Sequence, residues 1–228
     1  MIVIRCLACS QPLSFKNRAA HMSRTAMPTR LTSSLILSLI LITSACGSSM
    51  KTPDIKQNPH PKMRYEITMT IDRAPGPFDS VTAFVQYKVS NDRCVPLTPI
   101  SGATLPPEDS VPLDLTKVSD KVYTGHLYVD LLKDEDYYGL GVCHWEVVAA
   151  TAVLQVKNVG FSPGLFKADV LAQKSATRYF LERDYFDAHA GKENMFPSDP
   201  GESSPSVYKA EFQGHLFSAT LVAKEDFL

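Results

Sequence analysis

The segment Arg64-Tyr-Glu-Ile-Thr-Met-Thr-Ile-Asp-Arg73 alternates strictly. Tyr65, Ile67, Met69 and Ile71 are apolar, and the residues between them are charged or threonine. A period of two places the apolar side chains on one face of an extended chain, so this stretch predicts a half-buried strand. Ala74-Pro-Gly-Pro77 interrupts it, and the alternation resumes at Val81, Ala83, Val85, Tyr87 and Val89. Two such strands around a Pro-Gly turn form either a hairpin or neighbours across a sandwich.

The rest of the chain extends the pattern. Prolines 96, 99, 106, 107 and 112 make residues 91–112 a loop that cannot be a central strand. Val122 to Leu132 reads as a strand ending at the acidic turn Lys133-Asp-Glu-Asp136. Tyr137 to Lys157 reads as a central strand or strand pair, with Ala149 to Ala152 marking a bend or bulge. Ser162 to Lys174 predicts a short helix with Ser162 as its cap and Pro163 in its first turn. Ala176 to Leu181 predicts a short strand, 187–205 a polar loop, and Ser206 to Phe212 and His215 to Ala223 two closing strands. Six to eight strands and one short helix predict an all-β antiparallel sandwich.

Ahead of these strands lies Leu35 to Ile42, apolar apart from Ser38, preceded by Lys16, Arg18, Arg24 and Arg30 and followed by small residues. That order is that of a secretory signal, and the run is far shorter than the ~20 residues that span a bilayer. Met27-Pro-Thr-Arg30 would make a compact basic start, which predicts initiation at Met27 with residues 1–26 ahead of it, or at Met22; an unusually long basic region before the apolar run is the alternative. Thr43-Ser44-Ala45-Cys46 resembles the lipobox of bacterial lipoproteins. The aliphatic place three before the cysteine holds Thr43, with Ile42 one residue earlier. The resemblance implies cleavage before Cys46 and lipidation of that cysteine. Gly47 is not the aspartate that retains lipoproteins in the inner membrane, which implies the outer membrane, facing the periplasm. The expected organisation is a leader over 1–45, a lipidated cysteine and flexible tether over 46–63, and the sandwich over 64–228.

Five of the 23 basic residues and none of the 24 acidic ones precede Cys46. The mature chain therefore carries 18 basic and 24 acidic side chains, a net charge of −6. That balance argues against nucleic acid and against electrostatic docking on anionic lipid. Two cysteines remain, Cys94 and Cys143, in a compartment where disulfides persist. They are expected to pair, closing a loop of roughly 50 residues and adding about 3–4 kcal/mol; two buried free thiols are the alternative.

Chemistry-bearing groups are sparse. Asp130, Asp134, Glu135 and Asp136 lack the ligand spacing of a helical calcium loop and read as a solvated acidic turn. His144 follows Cys143 directly, and neighbours in a strand point to opposite faces. The remaining histidines show no zinc-ligand spacing, so no metal, cofactor or enzymatic activity is expected. Aromatic residues near acidic ones suggest a protein-binding surface: Asp134, Glu135, Asp136, Tyr137, Tyr138, Asp184 and Tyr185 are the candidate contacts.

The stretch Asp134-Glu-Asp-Tyr-Tyr-Gly-Leu-Gly-Val-Cys-His-Trp-Glu146 and its flanking strands are similar to small Gram-negative lipoproteins that accompany type VI secretion effectors. Many of those are immunity proteins. The resemblance implies a tethered inhibitor that blocks a delivered toxin, often a lipase, with loops such as 132–140 and 183–205 covering the active site. A structural or assembly lipoprotein of the envelope is the alternative.

Overall fold

A computed structural model describes residues 53–192 and 197–227. In chain order the elements are β1 (Arg64–Asp72), β2 (Ser80–Val89), β3 (Glu108–Pro112), β4 (Thr116–Lys117), β5 (Val122–Tyr128) and β6 (Trp145–Val156). There follow β7 (Val159–Phe161), β8 (Gly164–Phe166), α1 (Lys167–Leu171), β9 (Ala176–Leu181), α2 (Glu182–His189), β10 (Ser198–Asp199) and β11 (Leu216–Glu225).

Two sheets face each other. The first has the order β4-β5-β1-β11-β9, and the second β10-β7-β6-β2-β3, with β8 also on β6. All pairings are antiparallel except the two-residue β10–β7 contact. The fold is an antiparallel β-sandwich. β1 and β2 belong to different sheets, so the Pro-Gly connection crosses the sandwich and does not close a hairpin. The alternation decides what each strand buries: Tyr65, Ile67, Met69 and Ile71 from β1 face Ala83, Val85 and Tyr87 from β2 in one core. Tyr87 ties the layers directly, donating its hydroxyl to the Tyr128 carbonyl at 2.6 Å.

β6 carries an irregularity that the core requires. Gln86 pairs with Ala149 and Tyr87 with Val147, leaving Val148 unpaired as a β-bulge. The extra residue swaps parity, so Ala150, Ala152, Leu154 and Val156 face the core on one side of it, and Val147 on the other. Trp145 and Cys143 then follow on the same face. The Cys94–Cys143 disulfide is formed, with Cα atoms 5.2 Å apart, and packs with Val89, Val95, Tyr137, Tyr138 and Trp145. β2 runs about 30 Å from the β1–β2 connection to this disulfide, which defines two ends of the sandwich. A cluster of Phe78, Phe161, Phe180, Tyr185 and Phe217 fills the core towards the end opposite the disulfide.

Several elements differ from expectation. Gly164–Phe166 pairs with β6, so the helix expected from Ser162 shrinks to Lys167–Leu171, with Phe166 and not Ser162 at its N-cap. A second helix, α2, occupies residues expected to lie between a strand and a polar loop; Tyr185 and Ala188 anchor it on the core. Ser206 to Phe212 is not a strand but two 3-10 turns, Pro205–Val207 and Ala210–Phe212. β3 falls inside the expected loop and keeps Pro112 on a sheet edge, where proline is tolerated.

The expected tether is also shorter than 46–63. Gln57 bridges Leu132, Asn58 N–H donates to the Leu131 carbonyl at 2.7 Å, and Lys133 N–H donates to the Lys56 carbonyl at 2.9 Å. Asp130 accepts from the backbone N–H groups of Lys62 and Met63 at 2.9 and 3.0 Å. Residues 55–63 are therefore a strap laced to the disulfide end, with Ile55 against the core. The leader, the lipobox and Cys46 lie outside the described residues. Among the described residues no helix is long and apolar enough to cross a membrane.

Candidate functional site

The candidate contacts 134–138 sit at the disulfide end, and most of their polar groups are already engaged. Asp134 accepts from Trp145 N–H at 2.8 Å, and its other oxygen lies 2.7 Å from His144 Nδ1. Glu135 pairs with Lys56 at 3.0 Å, and that hydrogen bond holds its carboxyl below the usual carboxylate range. Its second oxygen is buried, with the Lys133 ammonium 3.5 Å away as a second ion-pair partner. Asp136 accepts from Gly139 and Leu140 N–H at 2.7 and 3.0 Å, closing the turn. Tyr137 donates to the Lys133 carbonyl at 2.6 Å and packs edge-on to Trp145. The acidic turn is therefore a braced structural turn, and its carboxylates chiefly satisfy local donors.

Asp184 and Tyr185 lie at the opposite end. Tyr185 is 3 % exposed and donates to the Pro77 carbonyl at 2.7 Å, so it is a core residue and not an exposed contact. Gly76 is required beneath it, since a Cβ there would come within 2.5 Å of the Tyr185 hydroxyl. Asp184 pairs with Arg183 at 3.4 Å and faces a second acidic group, Asp199. The two sets of candidates are separated by about the length of β2 and do not form one surface.

A substantial concavity lies elsewhere, on the outer face of the second sheet, and was not anticipated. β7 and β8 both run along the same side of β6, with Ser162 and Pro163 between them. Thr151, Val153 and Gln155 of β6 form the floor of a groove of about 610 Å³, and Phe84, Phe166 and Pro200 are among its walls. Glycine keeps it open: a Cβ on Gly160 would lie 2.9 Å from Val153 Cγ1. The lining is mostly apolar. Arg178, 5.9 Å from the Phe166 ring centre in a cation–π contact, is the one charged side chain among the described lining residues.

The segment beneath this groove, Gly160-Phe-Ser162-Pro-Gly164, has the Gly-x-Ser-x-Gly spacing of the hydrolase nucleophile elbow. The elbow needs a strand-to-helix turn, whereas here the serine lies between two strands. Ser162 Oγ lies 3.1 Å from Ser198 Oγ and 3.3 Å from the Gly160 carbonyl, and no histidine lines the groove among the described residues. Ser206-Val-Tyr-Lys209 has a Ser-x-x-Lys spacing but begins in a 3-10 turn, so the two side chains lack the shared helical face that such a pair uses. Among the described residues no three His, Cys, Asp or Glu side chains converge as metal ligands. This spacing was passed over in the sequence, and here it serves the packing of the groove.

No family model, curated protein or solved structure matches this chain.

Proposed function

We propose that this chain is an outer-membrane lipoprotein, anchored at Cys46 and facing the periplasm, that binds and blocks a partner protein as an immunity protein does against a secreted effector such as a lipase. The reading rests on the groove of the second sheet: an apolar trough on a rigid sheet face, with Arg178 to orient a carboxylate-bearing segment. Rigid sheet positions lose little entropy on binding, which favours a stable inhibitory complex. The sign of the steering differs from that expected at the acidic turn, because the charge presented in the groove is positive.

The test is co-purification of the mature chain with effectors secreted by its own species, followed by inhibition of the captured effector. One effector bound at equal stoichiometry and inhibited supports the reading. Phe166→Asp and Arg178→Glu should each weaken that complex about tenfold or more without lowering Tm. Capture of envelope machinery through the same residues would instead favour the assembly alternative. A fluorophosphonate probe should leave Ser162 unlabelled; labelling there would make the groove a hydrolase site.

A further inference from the structure

The disulfide end carries an unusual set of exposed apolar side chains. Residues 97–104 form a small hairpin loop, closed by the Leu97–Thr104 bridge and by Thr98 N–H donating to the Ala103 carbonyl at 2.8 Å. Ile100 stands at its tip and is fully exposed, with Leu97 at 64 % and Leu105 at 59 % on its two arms. The turn joined to this region through Cys94–Cys143 adds exposed Leu140 and Val142. Val142 is held there by Asn91, whose side-chain amide donates to its carbonyl at 2.8 Å. Five large exposed apolar groups on two loops joined by one disulfide offer a contact surface.

The chain that precedes the domain says what meets it. The strap residues Ile55 to Asn58 are fastened to the same end, through Leu131, Leu132 and Lys133. Eight residues lie between Cys46 and Ile55, and covalent geometry caps the span from one to the other at roughly 30 Å. With Cys46 lipidated, the apolar end is leashed to the bilayer while the opposite end stands about another 30 Å away along β2. A leash this short gives an effective concentration of the order of millimolar, so a weak apolar contact is enough to be populated.

We infer that the loop tip Leu97, Ile100 and Leu105, with Leu140 and Val142, docks on the lipid bilayer that holds the anchor. The contact is shallow and apolar, like that of an interfacial segment, and does not require anionic headgroups. It holds the sandwich upright, with the groove of the second sheet facing sideways and α2 pointing away from the membrane. The inference rests on lipidation at Cys46 and is independent of which partner the groove binds.

The test uses the lipidated mature chain on vesicles of phosphatidylethanolamine and phosphatidylglycerol with brominated acyl chains, which quench tryptophan at short range. The native chain contains one tryptophan, Trp145, which sets the baseline. Ile100→Trp and Leu140→Trp should each lose at least half of their added fluorescence, whereas Phe186→Trp on α2 should lose none. Adding Ile100→Ser to Leu140→Trp should cut its quenching at least twofold, which separates the pull of the native isoleucine from that of an introduced tryptophan. Equal quenching at both ends, or no quenching at residue 100 in protein that floats with the vesicles, would overturn the docking and leave the anchor standing. Protein that fails to float would overturn both.

Discussion

Asp134 shows how a residue that looks functional in a sequence becomes structural in the fold. Its two oxygens hold Trp145 N–H and the His144 ring, and thereby fix the entry to β6. Asp134→Ala removes both contacts at a half-exposed site, so it should cost about 1–2 kcal/mol in urea unfolding and leave partner binding within twofold. Asp199 behaves differently. Burial raises its carboxyl, Gly201 N–H lowers it again by donating to Oδ1 at 2.8 Å, and the negative Asp184 and Glu202 raise it further, for a net upward shift. The folded state therefore binds this proton more tightly than the unfolded chain does. Its contribution to stability grows as pH falls through the raised value and is lost as pH rises above it. Asp199→Asn keeps an acceptor for Gly201 and removes the buried charge. The variant should have a higher Tm than the native protein at pH 7, with the difference shrinking towards pH 4.

At the scale of elements, the disulfide carries the clearest prediction. It joins two irregular loops across 49 residues of sequence and packs under Tyr138 and Trp145. Replacing both cysteines by alanine should lower stability by about 2–4 kcal/mol in denaturant titrations, and reductant should then have no further effect. This pairing, and the buried faces of β1 and β2, were legible because each depends on local alternation or on a count of two. The bulge at Val148 was only approximately legible. Each half of β6 is periodic by itself, and nothing local says which residue absorbs the change of parity. α2 was missed because Glu182-Arg-Asp-Tyr-Phe-Asp-Ala-His189 is short and poor in strong helix formers; docking of Tyr185 and Ala188 stabilises it. The groove was hidden for a topological reason. It exists because β7 and β8 share one side of β6, a long-range arrangement that Gly160 and Gly164 permit but do not announce. The aromatic and acidic surface failed for the same reason: residues 134–138 and 184–185 look alike in composition but are sent to opposite ends by the strands between them.

For the whole molecule, the proposed anchor and the proposed binding face are separable from the fold, and one substitution tests this. The sandwich is complete from the strap at Ile55 onward, with both layers closed by β1–β11 and β2–β6 pairing. The described core is built from Ile55 onward, so Cys46→Ser should leave Tm and partner affinity unchanged within twofold in vitro. It should nevertheless move the protein from the detergent phase to the aqueous phase in a cloud-point separation. On the proposed anchoring, function in cells should then fall even though the binding face is intact, because the lipid supplies the location. Arg178→Glu should show the reverse: normal partitioning into detergent, a normal Tm and a lost complex. If Cys46→Ser stayed in the detergent phase, the anchor would lie elsewhere in the chain. If it lost partner affinity in solution, the binding face would have to include the residues around Cys46, and the groove would not be its centre.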